Sequence, residues 1–166
     1  MKSRIALFIA LIMAFTFCET NGSDENTLKE KISTFTDSYW NNKDVTSLEV
    51  LSADNFLRKI NNVTVANGLN EAEANSNVFF KAFPDLQIAN TNIYIKGDHA
   101  FVNWILTGTN IGTFGEIDPT GKKVRISGIS HLYFDTAGKI FQEDIYYNEL
   151  DLLQQLGYTL NAPVVE

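Results

Sequence analysis

AFVNWILTGTN (Ala100–Asn110), IGTFGEIDPTG (Ile111–Gly121) and KKVRISGISHLYF (Lys122–Phe134) follow one another without interruption. The two flanks are rich in β-branched and aromatic residues, whereas the middle is punctuated by Gly112, Gly115, Pro119 and Gly121. Strand formers on either side of such a segment predict two strands joined by a long connection. Two strands alone bury too little surface to be stable, so this curved hairpin is expected at the heart of a larger sheet.

Working outward, Leu86 to Lys96 leads through a Gly97-Asp98 turn into the first of these strands. The second leads through Asp135 to Gly138 into a strand from Ile140 to Asn148. A last helix carries Leu150, Leu152, Leu153 and Leu156 and stops at Gly157. Upstream, Leu28, Ile32, Phe35, Tyr39 and Trp40 recur at three- and four-residue steps between Asp24 and Asn42, the buried stripe of an amphipathic helix. A short second helix starts at Asp44 or Thr46 and covers Leu48 to Ala53. Asn55 to Val65 reads as a short strand or a strand pair broken at Asn61-Asn62. A third helix runs from Asn70 to Ala82, with Ala72, Ala74, Val78, Phe79 and Ala82 inward, and Pro84 ends it. Helices first and a four-strand meander after them predict an α+β fold: a strongly curved antiparallel sheet wrapped around N-terminal helices, a cone whose mouth holds a small ligand.

The chain has 166 residues, 45% of them hydrophobic, enough for one domain with a sizeable core. No repeat or low-complexity tract interrupts it. Its formal charge of −7 argues against nucleic acid as a partner, because phosphate binding needs clustered Lys and Arg. The tight basic group Lys122, Lys123 and Arg125 reads as a solvated strand start before it reads as an anion site. Lys2 and Arg4 precede an apolar run from Ile5 to Phe17, too short to span a bilayer and of the length of a signal-peptide core. Residues 1–22 are therefore expected to be an export signal and 23–166 the domain. Cys18, the single cysteine, stands where that run stops, as does the lipid-modified cysteine of bacterial lipoproteins. Lipidation at Cys18 and ordinary cleavage near Gly22 both leave a domain outside the cytoplasm, periplasmic or outer-membrane-associated in the first case and secreted otherwise. The membrane enters only through the anchor.

Phe83-Pro84-Asp85-Leu86, Gly97-Asp98, Trp104, Gly108-Thr109, Gly112, Pro119-Thr120-Gly121-Lys122, Gly138-Lys139-Ile140 and Leu152-Leu153-Gln154-Gln155-Leu156-Gly157 occur in this order. Together they resemble the SnoaL-like polyketide cyclases, often labelled ester cyclases, over essentially the whole mature chain. The resemblance implies the cone of the nuclear-transport-factor-2-like superfamily, also described as a cystatin-like α+β barrel, and a homodimer packed through its sheets. It implies ring closure by intramolecular aldol condensation without metal or cofactor, an Asp of the last strand moving the proton. The chain departs from that pattern. Counting back from Leu152, the position of the Asp holds Asn148 and that of a preceding Trp holds Asp144. The family's Gly-Thr-His stands here as Gly108-Thr109-Asn110. Asn takes no proton at ordinary pH, so proton transfer needs another group.

Asp144, Tyr146 and Asn148 share one side of the last strand. If Asn148 faces the pocket, so do the other two, and Asp144 becomes a relocated base about 13 Å along the strand, at about 3.3 Å per residue. The alternative pairs Asp144 with Arg58 or Arg125. His131 lies in an apolar strand and has the pKa range for acid–base work, or is a hydrogen-bonded core or interface histidine. Asn148 either holds a ligand's oxygen or caps the final helix. Tyr146 and Asn110 are further candidates for holding that oxygen, and Tyr39, Trp40 and Trp104 either line the cavity or fill the core. His99 and His131 have no Cys or carboxylate at ligand spacing, so no metal is expected. The reading that results is an exported domain binding a small, largely apolar or aromatic molecule, a diverged cofactor-independent cyclase. An active cyclase, isomerase or hydrolase using Asp144 or His131 is the alternative, and a non-catalytic dimeric envelope interaction module is the third.

Overall fold

The spacing of Leu28, Ile32 and Phe35 builds the first helix as expected, and Thr36, Tyr39 and Trp40 continue its buried face. The computed structural model, which describes residues 25–116 and 118–162, forms this face in two geometries. Helix α1, Glu25–Thr34, continues as a wider π-helical segment, Phe35–Asn41, and Phe35, Thr36, Tyr39 and Trp40 are all buried. The Thr36 hydroxyl donates to the Ile32 carbonyl at 3.1 Å, a local bond of the kind that loosens the regular ladder. The expected leader 1–22 and Cys18 lie outside the described residues. Among the described residues no helix is long and apolar enough to cross a membrane.

Asp44 holds the start of α2, Thr46–Leu51, by accepting from the Thr46 backbone N–H and from the Thr46 and Ser47 hydroxyls. Strand β1 begins at once, Ser52–Ile60, three residues earlier than the sequence suggested, and pairs with β2, Val63–Asn67. Asn61 and Asn62 turn between them with φ of 49° and 68°, the left-handed pair that a two-residue hairpin needs. Helix α3 spans Leu69–Ala82. Its inward stripe is Ala72, Ser76 and Phe80 with Ala82 at its end, not the expected Ala74 and Val78, which face solvent. A serine in the buried stripe hid the phase of the helix from an apolar count.

Strands β3, Gln87–Lys96, β4, His99–Thr109, β5, Lys123–Phe134, and β6, Ile140–Tyr147, form the expected meander, and α4, Glu149–Leu156, follows. The six strands lie in the order β2-β1-β6-β5-β4-β3. The sheet is curved around the helices but open, with β2 and β3 as edges, so it is a cone rather than a closed barrel. One pairing departs from the antiparallel expectation: β1 lies parallel to β6, with Arg58 beside Glu143 and Lys59 beside Asp144. A parallel neighbour needs a long crossover, which here is everything from β2 to β5, so local sequence patterns did not show it.

The inner face alternates along each strand. Ala100, Val102, Trp104 and Leu106 of β4 face Leu132, Ser130, Gly128 and Ile126 of β5, and these face Glu143, Ile145 and Tyr147 of β6. One core lobe joins this face to Leu28, Ile32, Phe35, Tyr39, Leu48 and Phe80. A second joins it to Phe83, Leu86, Leu152 and Leu156. Between the lobes the packing is incomplete, and a cavity remains.

Candidate functional site

The cavity and its mouth together span about 680 Å³ of space not filled by protein, open solvent at the mouth included. Its walls are mostly apolar, supplied by the first helical segment (Ile32, Phe35, Trp40), by Phe79 of α3 and by Ile88, Val102, Leu106, Ile126, Leu132 and Ile145 of the strands. Polar groups are few: Thr36, Asn75, Asn90, Ser130, Glu143 and Tyr147, with the Trp104 indole. The site is therefore an apolar pocket with a small number of placed polar atoms, the usual make-up of a small-molecule site.

Glu143 is the lining carboxylate. It is only 2% exposed, and its Oε2 accepts from Arg58 Nε at 2.9 Å. Its Oε1 accepts from the Ser130 hydroxyl at 3.2 Å, and Ser130 in turn accepts from the Trp104 indole N–H at 3.1 Å. Arg58 is fully buried and also donates through Nη1 to the Ala72 carbonyl and the Ser76 hydroxyl. Its guanidinium carbon lies 5.1 Å from the centre of the Trp40 ring. Burial opposes the charge on Arg58, and the Glu143 carboxylate and Tyr39 together outweigh it, raising its pKa above the ordinary value. Trp104 owes its position to Gly128. A Cβ there would stand 2.5 Å from Trp104 Cη2 and 2.6 Å from the Tyr146 carbonyl oxygen, so only glycine lets the indole lie across β5. Tyr147 closes the same row, its phenol pushed up to about 12 by burial and by the charge of Glu149. It stays protonated, a donor at any physiological pH.

The residues singled out in the sequence do not gather at one place. Trp40 and Trp104 line the cavity. Tyr39 is wholly buried beside it, its hydroxyl donating to Ser76 at 2.6 Å and its ring packed on Phe35 and Phe80, so it is core. Asp144, Tyr146 and His131 lie on the opposite, outer face of the sheet. The parity argument took Asn148 as a pocket residue, but Asn148 is the N-cap of α4 and accepts from the Asp151 backbone N–H at 3.1 Å. Parity from the cavity side runs through Glu143, Ile145 and Tyr147 instead.

On that outer face Asp144 pairs with neither Arg58 nor Arg125; it accepts from the Tyr133 hydroxyl at 3.1 Å and from Gln142. His131 Nε2 lies 2.9 Å from His99 Nδ1, and its ring is stacked between Phe101 and Tyr133. Burial, then the neighbouring His99, lower the pKa of His131, while Asp144 opposes them. Tyr146 donates to the Asn62 side chain at 2.8 Å. Asn110 is buried away from the cavity, its amide donating to the Ala82 and Gly112 carbonyls and accepting from the Thr120 backbone and hydroxyl. It clamps the long β4–β5 connection onto the end of α3. Among the described residues no group of three or more His, Cys, Asp and Glu is placed to hold a metal ion.

Glu143, Ser130 and Tyr147, with Thr36, Asn75 and Asn90, are thus the polar groups of the cavity that the sequence left unmarked. A parity signal existed, because Glu143 and Tyr147 alternate with Asp144 and Tyr146. Its origin was set on the wrong residue.

An open, curved sheet packed around helices with a pocket between them defines the nuclear-transport-factor-2-like or ketosteroid-isomerase-like class of domain. Within that class the sequence profile of the SnoaL-like polyketide cyclases matches residues 30–156, and the chain belongs to that family. Similar solved structures share the fold. One is a Jannaschia sp. CCS1 protein named for the SnoaL-like polyketide cyclases, with a TM-score of 0.75 and 22% identity over 84% of this chain and 100% of that one. AclR from Streptomyces galilaeus superposes with a TM-score of 0.73 and 23% identity over 84% and 91% of the two chains. TsrD from Streptomyces laurentii gives a TM-score of 0.72 and 20% identity over 81% and 98%. No curated protein matches the sequence.

Proposed function

We propose that this chain is an exported SnoaL-like domain that binds a small, largely apolar molecule in the cavity between α1, α3 and the sheet. One observation carries the reading: an apolar pocket remains open between two well-packed core lobes and keeps a buried, paired carboxylate at its wall. A scaffold with no ligand gains stability by filling such a space, so the open pocket favours ligand chemistry over an interaction module. The chain has two tryptophans, and both line the cavity. Tryptophan emission of the purified protein therefore reports on the pocket, and is titrated with aromatic polyketide-like, sterol-like and short acyl compounds. A compound that alters the emission and raises the melting temperature supports the reading. A panel that changes neither removes it.

Turnover is a second reading of the same pocket. The group within reach of a ligand is then the Glu143 carboxylate, with the protonated Tyr147 as donor, because Asp144 and His131 face away from the cavity. Deuterium entering the activated methylene of a bound 1,3-dicarbonyl compound with the wild type, and not with Glu143→Gln, is the outcome this reading expects. We also place the homodimer on the outer face, where Tyr94, Phe101, Ile129 and Tyr146 are exposed. Phe101→Asp is expected to sediment as a monomer; a dimeric variant moves the contact elsewhere.

A further inference from the structure

We propose that the cavity selects uncharged molecules bearing a hydrogen-bond donor, a hydroxyl or an N–H, and rejects the free carboxylic acid of the same skeleton. This rests on the binding reading above and names the chemistry of its ligand. The observation behind it is the one-sidedness of the ion pair. Glu143 lines the cavity, whereas its partner Arg58 does not and is wholly buried. The pair is thus a dipole with its negative end towards the ligand.

Arg58 Nε is bound to Glu143 and Nη1 to Ala72 and Ser76, with the guanidinium against the Trp40 ring; Nη2 is buried without a partner, but Arg58 is not among the residues that line the cavity. Among the described residues that line the cavity none is Lys, Arg or His. A carboxylate entering the pocket therefore meets a carboxylate at low dielectric with no lining cation to answer it, an arrangement that strongly disfavours the charged form. A donor meets the opposite situation. Glu143 accepts one bond on each oxygen and each oxygen has a lone pair to spare. The Asn75 side-chain oxygen, also on the wall, is buried without a partner. An unanswered buried acceptor costs free energy that a ligand's O–H or N–H recovers.

Three matched probes separate the contributions: 2-naphthol, 2-methoxynaphthalene and 2-naphthoate, each titrated calorimetrically into the full chain at neutral pH. Naphthol is expected to bind about tenfold or more tightly than either of the others, the size of one hydrogen bond to a charged group. In Glu143→Gln the penalty on naphthoate is expected to shrink to within about threefold of naphthol, since the repelling charge is gone. Ser130→Ala, which leaves the ion pair intact and frees Oε1, is the companion variant should the glutamine variant fail to fold; it is expected to widen the preference for naphthol. Naphthoate binding as tightly as naphthol, or an unchanged ratio in a folded Ser130→Ala, overturns the inference and leaves the pocket standing. Binding by none of the three, with unchanged tryptophan emission, overturns the pocket reading and this inference with it.

Discussion

Asn148 occupies the position where the family carries its Asp, yet what it does here is local. Its side chain closes the first turn of α4, so Asn148→Ala is expected to cost about 1 kcal/mol of stability, read as a lower melting temperature, with ligand affinity unaltered. Asparagine was legible as a cap from the sequence, but equally legible as a ligand group, because a cap and a pocket donor ask for the same small amide. His131 was ambiguous in the same way. Its folded pKa lies below the ordinary 6.5, so the unfolded chain takes up the proton more readily than the native one. The stability this confers is present above 6.5 and is lost as the pH falls from there through the lowered folded value. Denaturant midpoints are therefore expected to drop on mild acidification, and His131→Gln is expected to flatten that limb of the profile. An unchanged slope in the variant assigns the acid sensitivity to other groups.

At the level of elements, the parallel contact of β1 with β6 is the feature that makes the site. It sets Arg58 beside Glu143, and the two charges are buried together. Removing one partner leaves an uncompensated charge in the interior, and Arg58→Met is expected to cost about 3–5 kcal/mol. The double variant Arg58→Met/Glu143→Leu replaces the pair with apolar volume and is expected to recover most of that loss in urea denaturation. A double variant as unstable as the single one would mean that the pair does more than satisfy its own charges. The sequence offered Arg58 only as an alternative partner for Asp144 and left Glu143, 85 positions away, unmarked. The elements themselves were readable, since the β4–β5 hairpin, the Asn61-Asn62 turn and the Gly157 cap rest on local backbone chemistry. The inward phase of α3 and the π-helical segment after α1 were not. In both, a hydroxyl residue accompanies the buried stripe, Ser76 in α3 and Thr36 in the π-helical segment, and each is satisfied by groups it meets in the interior.

For the whole molecule, the pocket predicts a distinctive titration. Of six tyrosines, Tyr147 lines the cavity with its phenol pushed up to about 12. Its neutral form is favoured by the fold, so the stability it lends is complete below the ordinary value of 10.0 and is lost as the pH rises from there through about 12. Ultraviolet titration is expected to show a late-ionising tyrosine that disappears in Tyr147→Phe, together with a flatter alkaline stability limb. The sequence by itself determined the order of helices and strands, the curved meander and the family, because these follow from periodicity, turn chemistry and short motifs within one stretch of chain. It also determined that a pocket was to be expected. The tertiary structure alone decided which face of β6 lines that pocket, which carboxylate it holds and which cation answers it. Strand residues alternate at a period of two, so one misjudged anchor exchanges the two faces, and only the pairing of β6 with both β1 and β5 fixes the register.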